Sequence, residues 1–242
     1  MSASGAYAVV SPPSDQWTLD CGGNDNRATI ALSISNPDDV LAWGGLLTKT
    51  WGDPTGLDPT QFISLGDTGA VLQWLTVEVD ADPVYNLHFS IRNKNPYTTI
   101  FSFSESIEST LPFPTIDARG KASAGISITD ANGDGATAVG QRSGGAFYEA
   151  YYNGSSVFAS LISNPVSVSS YDTVTANGSK PWTYIGPVSS INSQFEFSLT
   201  AYDLAAGTST FVVEPVPEPT TIIAMLTGLI GFAGFLPRRR SA

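Results

Sequence analysis

Through much of this chain, apolar and polar residues alternate one for one. A β-strand sends successive side chains to opposite faces, so this period marks strands with one buried face. In Tyr85–Arg92, Tyr85, Leu87, Phe89 and Ile91 fall on one face and Asn86, His88, Ser90 and Arg92 on the other. In Thr99–Ser104, Phe101 and Phe103 share a face. Between these segments Asn93-Lys94-Asn95-Pro96-Tyr97 is turn chemistry, which predicts a hairpin. The same pattern predicts strands over Ala28–Ser35, Val71–Val79 (with Gln73 out of phase), Ala124–Ile128 and Phe147–Tyr152. It predicts others over Val157–Ile162, Phe195–Thr200 and Thr210–Val213. Asn153-Gly154 suits a type I′ turn. Segments 51–69, 108–121 and 177–190 read as loops. Many short strands with almost no helical period predict an all-β fold, a β-sandwich of jelly-roll-like or immunoglobulin-like type. No internal repeat is visible, which argues against solenoids and propellers.

The pattern changes at residue 214. Glu214-Pro215-Val216-Pro217-Glu218-Pro219 carries three alternate prolines, which remove amide donors and push their neighbours into extended backbone. It reads as a short stiff stalk. Residues 220–236 carry no charge. As a helix this run would span about 25 Å at ~1.5 Å per residue, just short of a ~30 Å hydrocarbon core. Pro237 ends it, and Arg238, Arg239 and Arg240 follow. A basic cluster beside an apolar run favours the cytoplasmic side, more than it suits a buried core helix. The expected organisation is therefore a β-sandwich domain over 1–213 facing outward and a stalk over 214–219. A transmembrane helix over 220–236 and a basic cytoplasmic tail over 237–242 follow.

Val216-Pro217-Glu218-Pro219, the 220–236 run and Arg238–Arg240, in this order, resemble the PEP-CTERM sorting signal of Gram-negative bacteria. The resemblance is confined to about 27 residues at the C-terminus. It implies recognition by an exosortase, a membrane-embedded cysteine protease or transpeptidase-like partner, with processing near Pro217-Glu218-Pro219. It further implies release or attachment at the cell exterior and an association with exopolysaccharide and biofilm matrix. Such proteins normally begin with a secretory leader. Met1–Val10 has neither the basic start nor the apolar core of one, so an upstream extension carrying it is expected.

Charge sharpens the division. Of 22 acidic and 11 basic residues in a chain of net charge −11, residues 1–214 hold 21 and 8. An acidic domain disfavours nucleic acid as a partner. One cysteine, Cys21, excludes an intramolecular disulfide and a cysteine zinc cage, and reads as a small buried hydrophobe. One histidine, His88, excludes a two-histidine metal site; on a polar strand face with no assignable nucleophile or orienting acid it reads as a solvated residue.

The sharpest candidate chemistry is Asp130-Ala131-Asn132-Gly133-Asp134-Gly135. Asp130, Asn132 and Asp134 are oxygen donors at positions one, three and five of a calcium loop, with Gly at six. The Ala136 carbonyl would serve position seven, and Gln141 stands where a bidentate Glu belongs. The plainer reading is a hairpin turn, which Asn-Gly and Asp-Gly favour. Trp17, Trp43, Trp51, Trp74 and Trp182 could form a sugar-stacking platform, with Trp43, Trp51 and Trp182, near expected loops, as its rim, although core packing is the default for tryptophan. Glu105 with Glu108, or Glu149 and Glu196, are acids for carboxylate-only glycoside hydrolysis, but no spacing ties any two together. Asn153 and Asn177 fit the Asn-glycosylation pattern and read as turns. The expected function is an exported, non-catalytic surface or matrix protein with a structural or adhesive role. A lectin-like carbohydrate-binding module is the alternative, and a hydrolase the weaker third reading.

Overall fold

Fifteen strands and no α-helix are built by residues 17–24, 26–34, 47–80, 84–105 and 117–216, which the computed structural model describes. Trp43, Pro217, Glu218, Pro219, the 220–236 run and Arg238, Arg239 and Arg240 lie outside these residues. Among the described residues no helix is long and apolar enough to cross a membrane.

The strands are β1 (Trp17–Asn24), β2 (Arg27–Ile34), β3 (Leu47–Gly52), β4 (Ile63–Ser64) and β5 (Val71–Asp80). Next come β6 (Val84–Arg92), β7 (Thr99–Glu105), β8 (Asp117–Thr129), β9 (Ala136–Gly140) and β10 (Tyr148–Tyr152). The last are β11 (Ser156–Leu161), β12 (Val166–Val168), β13 (Thr173–Pro187), β14 (Ile191–Leu199) and β15 (Leu204–Pro215). They form two sheets. Sheet A runs β1-β2-β7-β14-β10-β11, with β9 on β14 and β12 on β9; sheet B runs β13-β8-β15-β6-β5-β3, with β4 on β5. The β2–β7 pair is parallel, and the other described pairs are antiparallel.

The predicted apolar rows meet between the sheets. In β6, Tyr85, Leu87, Phe89 and Ile91 are buried and alternate with half-exposed neighbours. The Phe89 ring lies across Gly207 of β15, its register partner, where an added Cβ would come within 2.3 Å of the ring. From there it stacks on Phe103 of sheet A at 3.9 Å and meets Phe195 edge-on at 5.1 Å. Phe197 stacks with Phe101 and Phe147 beside them. Such pairs add to the hydrophobic gain of burying both inner faces.

Several expectations are corrected. Segments 85–92 and 99–104 are not a hairpin: β6 belongs to sheet B and β7 to sheet A, so residues 93–98 cross between sheets. Buried Asn93 enforces this, its Nδ2 donating to the carbonyls of Tyr97, Leu199 and Thr200 while its Oδ1 accepts from Asn95 N–H. Residues 117–121 begin the long strand β8, and 177–187 belong to β13 rather than a loop. β13 is an edge strand, where Pro181 is tolerated beside a register shift because no further strand needs its amide. Glu214 and Pro215 close β15, paired with Arg119 and Ala118, so any stalk begins at Val216. β1, β3, β4, β9 and β12 escape the sequence pattern, being short or having little alternation of large apolar residues. Asn153-Gly154 turns β10 into β11 as expected, with φ of 50° and 80°, but the pairing of Tyr152 with Ser156 makes the loop three residues long rather than a two-residue type I′ turn.

Gln73 falls out of phase because β5 bulges there, so that Leu72 rather than Val71 pairs with Ile91 on the inner side. The bulge is held by Asp53 N–H, which donates to the Gln73 carbonyl at 3.0 Å. The Asp53 carboxylate in turn accepts from the Thr55 hydroxyl and from the Asp58, Thr55 and Leu57 amides, which hold its pKa down to about 2.

Two outcomes follow from this packing. Gly207→Ala is expected to lower stability by roughly 2 kcal/mol or more through overpacking against Phe89. Gly125→Ala, on the adjoining strand but the outer face, is expected to be nearly neutral, because the one close contact of its Cβ is the movable Asn177 Oδ1. Urea denaturation checks both. Asp53→Asn is expected to melt below the wild type at pH 7. The depressed carboxylate stabilises the fold only above its unfolded pKa of about 3.9. The difference should therefore shrink as pH falls from about 4 to 2, followed by circular dichroism melts.

Candidate functional site

Three crossovers gather at one end of the two sheets. Residues 93–98 join β6 to β7, 130–135 join β8 to β9, and 200–203 join β14 to β15, each passing from one sheet to the other. The Asp130–Gly135 motif is therefore a crossover, and neither an EF-hand nor a hairpin turn. Asn93 N–H donates to the Asp203 carbonyl, and Ala131 N–H to the Asp203 carboxylate, which ties the three segments together.

Asp130 is buried at the centre of its loop. Oδ1 accepts from the amides of Asn132 (3.2 Å) and Gly133 (2.9 Å). Oδ2 accepts from those of Gly135 (3.2 Å) and Tyr171 (2.7 Å). Burial by itself would raise its pKa, but these four amides outweigh it and hold the carboxyl below the usual range. Gly133 and Gly135 take φ of 91° and 94°, which only glycine adopts without strain, so the loop can fold its amides inward.

The structure brings Asp203 to this loop, a residue that motif reading did not find. Ligand oxygens of Asp130, Asp134 and Asp203 lie within 4.8 Å of one another. Asp203 is buried, accepting from the Ala131 amide and the Thr200 hydroxyl. Its pKa is raised by burial and by the charges of Asp130 and Asp134, against the pull of those donors. Gln141 is absent from the cluster. It follows the five-residue strand β9, about 17 Å further along at ~3.3 Å per residue, and its amide turns to the Val139 carbonyl and the Ser198 hydroxyl. The three carboxylates supply hard oxygen donors at a separation that Ca2+–O distances of about 2.4 Å would bridge. Asp130 has already committed its lone pairs to amides, so Asp134 and Asp203 hold the remaining acceptor capacity.

A second constellation lies on the outer face of sheet A. Glu149 of β10 and Glu196 of β14, which spacing could not connect, are brought together by Arg142. Its Nε donates to Glu149 Oε2 at 3.0 Å and its Nη1 to Glu196 Oε2 at 3.1 Å. Arg27 pairs with the other Glu196 oxygen, and Tyr151 hydroxyl donates to Glu149. Glu149 is 2% exposed, and its Oε1 has no hydrogen-bond partner among the described residues. Both acids are thus engaged by one guanidinium.

Among the described residues, Trp51 and Trp182 do not come together. Trp51 pairs with Leu75 and packs on the core. Trp182 is exposed on β13 beneath the Arg119 guanidinium, 4.8 Å from the ring centroid. β3 and β13 are opposite edges of sheet B, five strand spacings of about 4.8 Å apart. Trp43, Glu105 and Glu108 lie where side chains are outside the described residues. His88 stands on the outer face of sheet B with Nδ1 2.8 Å from the Thr208 hydroxyl. Cys21 is half-buried against the core, and burial followed by Asp20 pushes its thiol up to about 11.

No family model and no curated protein matches the chain. Solved structures that it resembles include Arthrobacter globiformis T6 isomalto-dextranase complexed with panose, at 13% identity and a TM-score of 0.24, covering 69% of this chain and 32% of that one. Broad Bean Stain Virus matches at 12% identity and a TM-score of 0.25, covering 88% and 97%. The enzymatically active domain of bacteriophage CBA120 tailspike protein 4 matches at 9% identity and a TM-score of 0.17, covering 84% and 20%. The chain thus spans about a third of the first and a fifth of the last. Scores at this level transfer neither fold assignment nor activity.

Asp203→Asn is expected to raise the melting temperature by a few degrees in calcium-free buffer at neutral pH, because it removes one of three crowded charges. Millimolar Ca2+ is expected to stabilise the wild type more than this variant. Equal wild-type melts with and without Ca2+ would reduce the loop to an amide-capped crossover.

Proposed function

We propose that this chain is an exported, non-catalytic protein of the cell surface or extracellular matrix. Its domain is a jelly-roll-like or immunoglobulin-like β-sandwich, delivered by a PEP-CTERM tail. In this reading Pro217, Glu218 and Pro219 are recognised by an exosortase. Residues 220–236 hold the precursor in the membrane, and Arg238, Arg239 and Arg240 set its orientation. The mature domain serves a structural or adhesive role in an exopolysaccharide or biofilm matrix.

The observation that carries the proposal is the ordered tail: a proline-flanked glutamate, an uncharged run and an arginine triplet. What precedes it supports the reading. β15 lies between β8 and β6 inside sheet B, and its last residue, Pro215, is followed by Val216, whose amide donates to the Asp117 carbonyl at 2.8 Å. The tail motif thus starts where the sheet stops. A carboxylate hydrolase finds less support, since Glu149 and Glu196 are both tied to Arg142.

The intact mass of the mature protein from its native host tests this. A mass lacking the residues beyond Pro219 is expected. Retention of Arg238, Arg239 and Arg240 in every molecule would refute exosortase processing.

A further inference from the structure

The outer faces of the two sheets differ in kind. Sheet A carries the charged network of Arg27, Arg142, Glu149 and Glu196. On sheet B, registered pairing across β13, β8, β15 and β6 sets Asn177, Gly125, Thr208 and His88 in one row. The rows on either side, from Thr175 to Ser90 and from Ser179 to Asn86, add only Ser, Thr, Ala and Asn. No Asp, Glu, Lys or Arg occurs in these three rows, in a region that holds 21 acids.

This face is hollowed. Gly125 contributes no side chain, and a depression of 380 Å³ opens there, bounded by Ser123, Asn177, Ser179, Thr208 and Thr210. A neighbouring hollow of 190 Å³ continues it past His88 and Ala206 to Trp74. Trp74 pairs with Ser90 and so stands on the same outer face, beyond the Gln73 bulge. Several hydroxyls are held in place by neighbours: Ser127 with Thr175 at 2.7 Å, Thr208 with His88 at 2.8 Å and Ser90 with Gln73 at 2.7 Å. Each hydroxyl keeps further donor or acceptor capacity. The exposed Asn177 carboxamide makes no hydrogen bond among the described residues.

We infer that this trough on sheet B binds a neutral polysaccharide chain. These three rows hold no cation for a phosphate, sulfate or carboxylate and no anion for a basic partner; the charges of this face, Arg92, Lys121 and Glu78, stand just beyond them, Glu78 accepting from Asn86 at 3.2 Å. Its hydroxyls and carboxamides, repeated at about 4.8 Å across the strands, match a ligand that is itself a run of hydroxyl groups. Trp74 supplies the flat apolar plane on which the C–H face of a sugar ring packs. An open trough reaching across several strands suits an extended polymer better than an enclosed small molecule. Selectivity for uncharged chains follows from the negative charge of the rest of the domain, which repels anionic ones. The inference is independent of the tail.

Affinity electrophoresis of the full chain in mild detergent tests it, with gels containing hydroxyethyl cellulose, galactomannan or dextran and with dextran sulfate as the charged control. The wild type is expected to be retarded by at least one neutral polymer, equally at low and high salt, and not by dextran sulfate. Trp74→Ala is expected to weaken that retardation about ten-fold, a stacking contribution near 1.4 kcal/mol. Trp74→Phe should keep part of it. Gly125→Val fills the trough without entering the core and should weaken binding as strongly, while Trp182→Ala on the edge strand should leave it unchanged. Urea midpoints confirm that each variant is folded. No retardation in any neutral gel, retardation by dextran sulfate alone, or wild-type binding by both Trp74→Ala and Gly125→Val would overturn the inference. None of these results bears on the mature mass, so the sorting proposal stands or falls separately.

Discussion

The seat of Phe89 on Gly207 sets the geometry from which the remaining surfaces follow. The ring needs a residue without Cβ on the neighbouring strand, and β15 provides one at its register partner. A one-residue slip would put a bulkier residue under the ring and turn every outer side chain of β15 inward. The same ring reaches Phe103 and Phe195, so one contact fixes strand register within sheet B and the seating of sheet B on sheet A. The neutral outer row from Asn177 to His88 is the reverse side of that arrangement.

Joining two sheets has a polar requirement as well as an apolar one. Wherever the chain passes between them, backbone amides leave the ladders and need other partners. Asn93, Asp130 and Asp203 supply them, each buried at one of three touching crossovers. Asp130 satisfies four amides and gains a lowered pKa, whereas Asp203 is crowded by Asp130 and Asp134 and has a raised one. The end of the domain that looks like a cation site is therefore first a solution to backbone satisfaction.

Charge is sorted by face. Sheet A buries two glutamates on its outer side and balances them with Arg142 and Arg27, a costly arrangement to break because a lone buried charge would remain. Sheet B keeps three adjacent outer rows across β13, β8, β15 and β6 uncharged, with Arg92, Lys121 and Glu78 just beyond them, and at its β13 edge Arg119 covers Trp182 and pairs with Glu214. An acidic domain thus presents one strip of sheet B that carries no charged side chain.

The sequence alone determined which segments pack inward. The alternation in Tyr85–Arg92, Thr99–Ser104 and Phe195–Thr200 placed Phe89, Phe101, Phe103, Phe195 and Phe197 in the core, because a period of two is a local property of extended backbone. It also marked the change of chemistry after residue 214 and the Asn153-Gly154 turn. It did not determine strand partners. Asn93–Tyr97 reads alike whether it closes a hairpin or crosses between sheets, and only the buried Asn93 carboxamide, reaching carbonyls of the 199–200 segment, decides it. β13 looked like a loop because Pro181 and the flanking glycines are poor strand formers, and an edge position tolerates them. Asp203 entered no motif, Trp74 was one of five tryptophans that composition could not tell apart, and the pairing of Glu149 with Glu196 through Arg142 left no spacing signal. Such sites are made by pairings between segments far apart in sequence, which local period cannot encode.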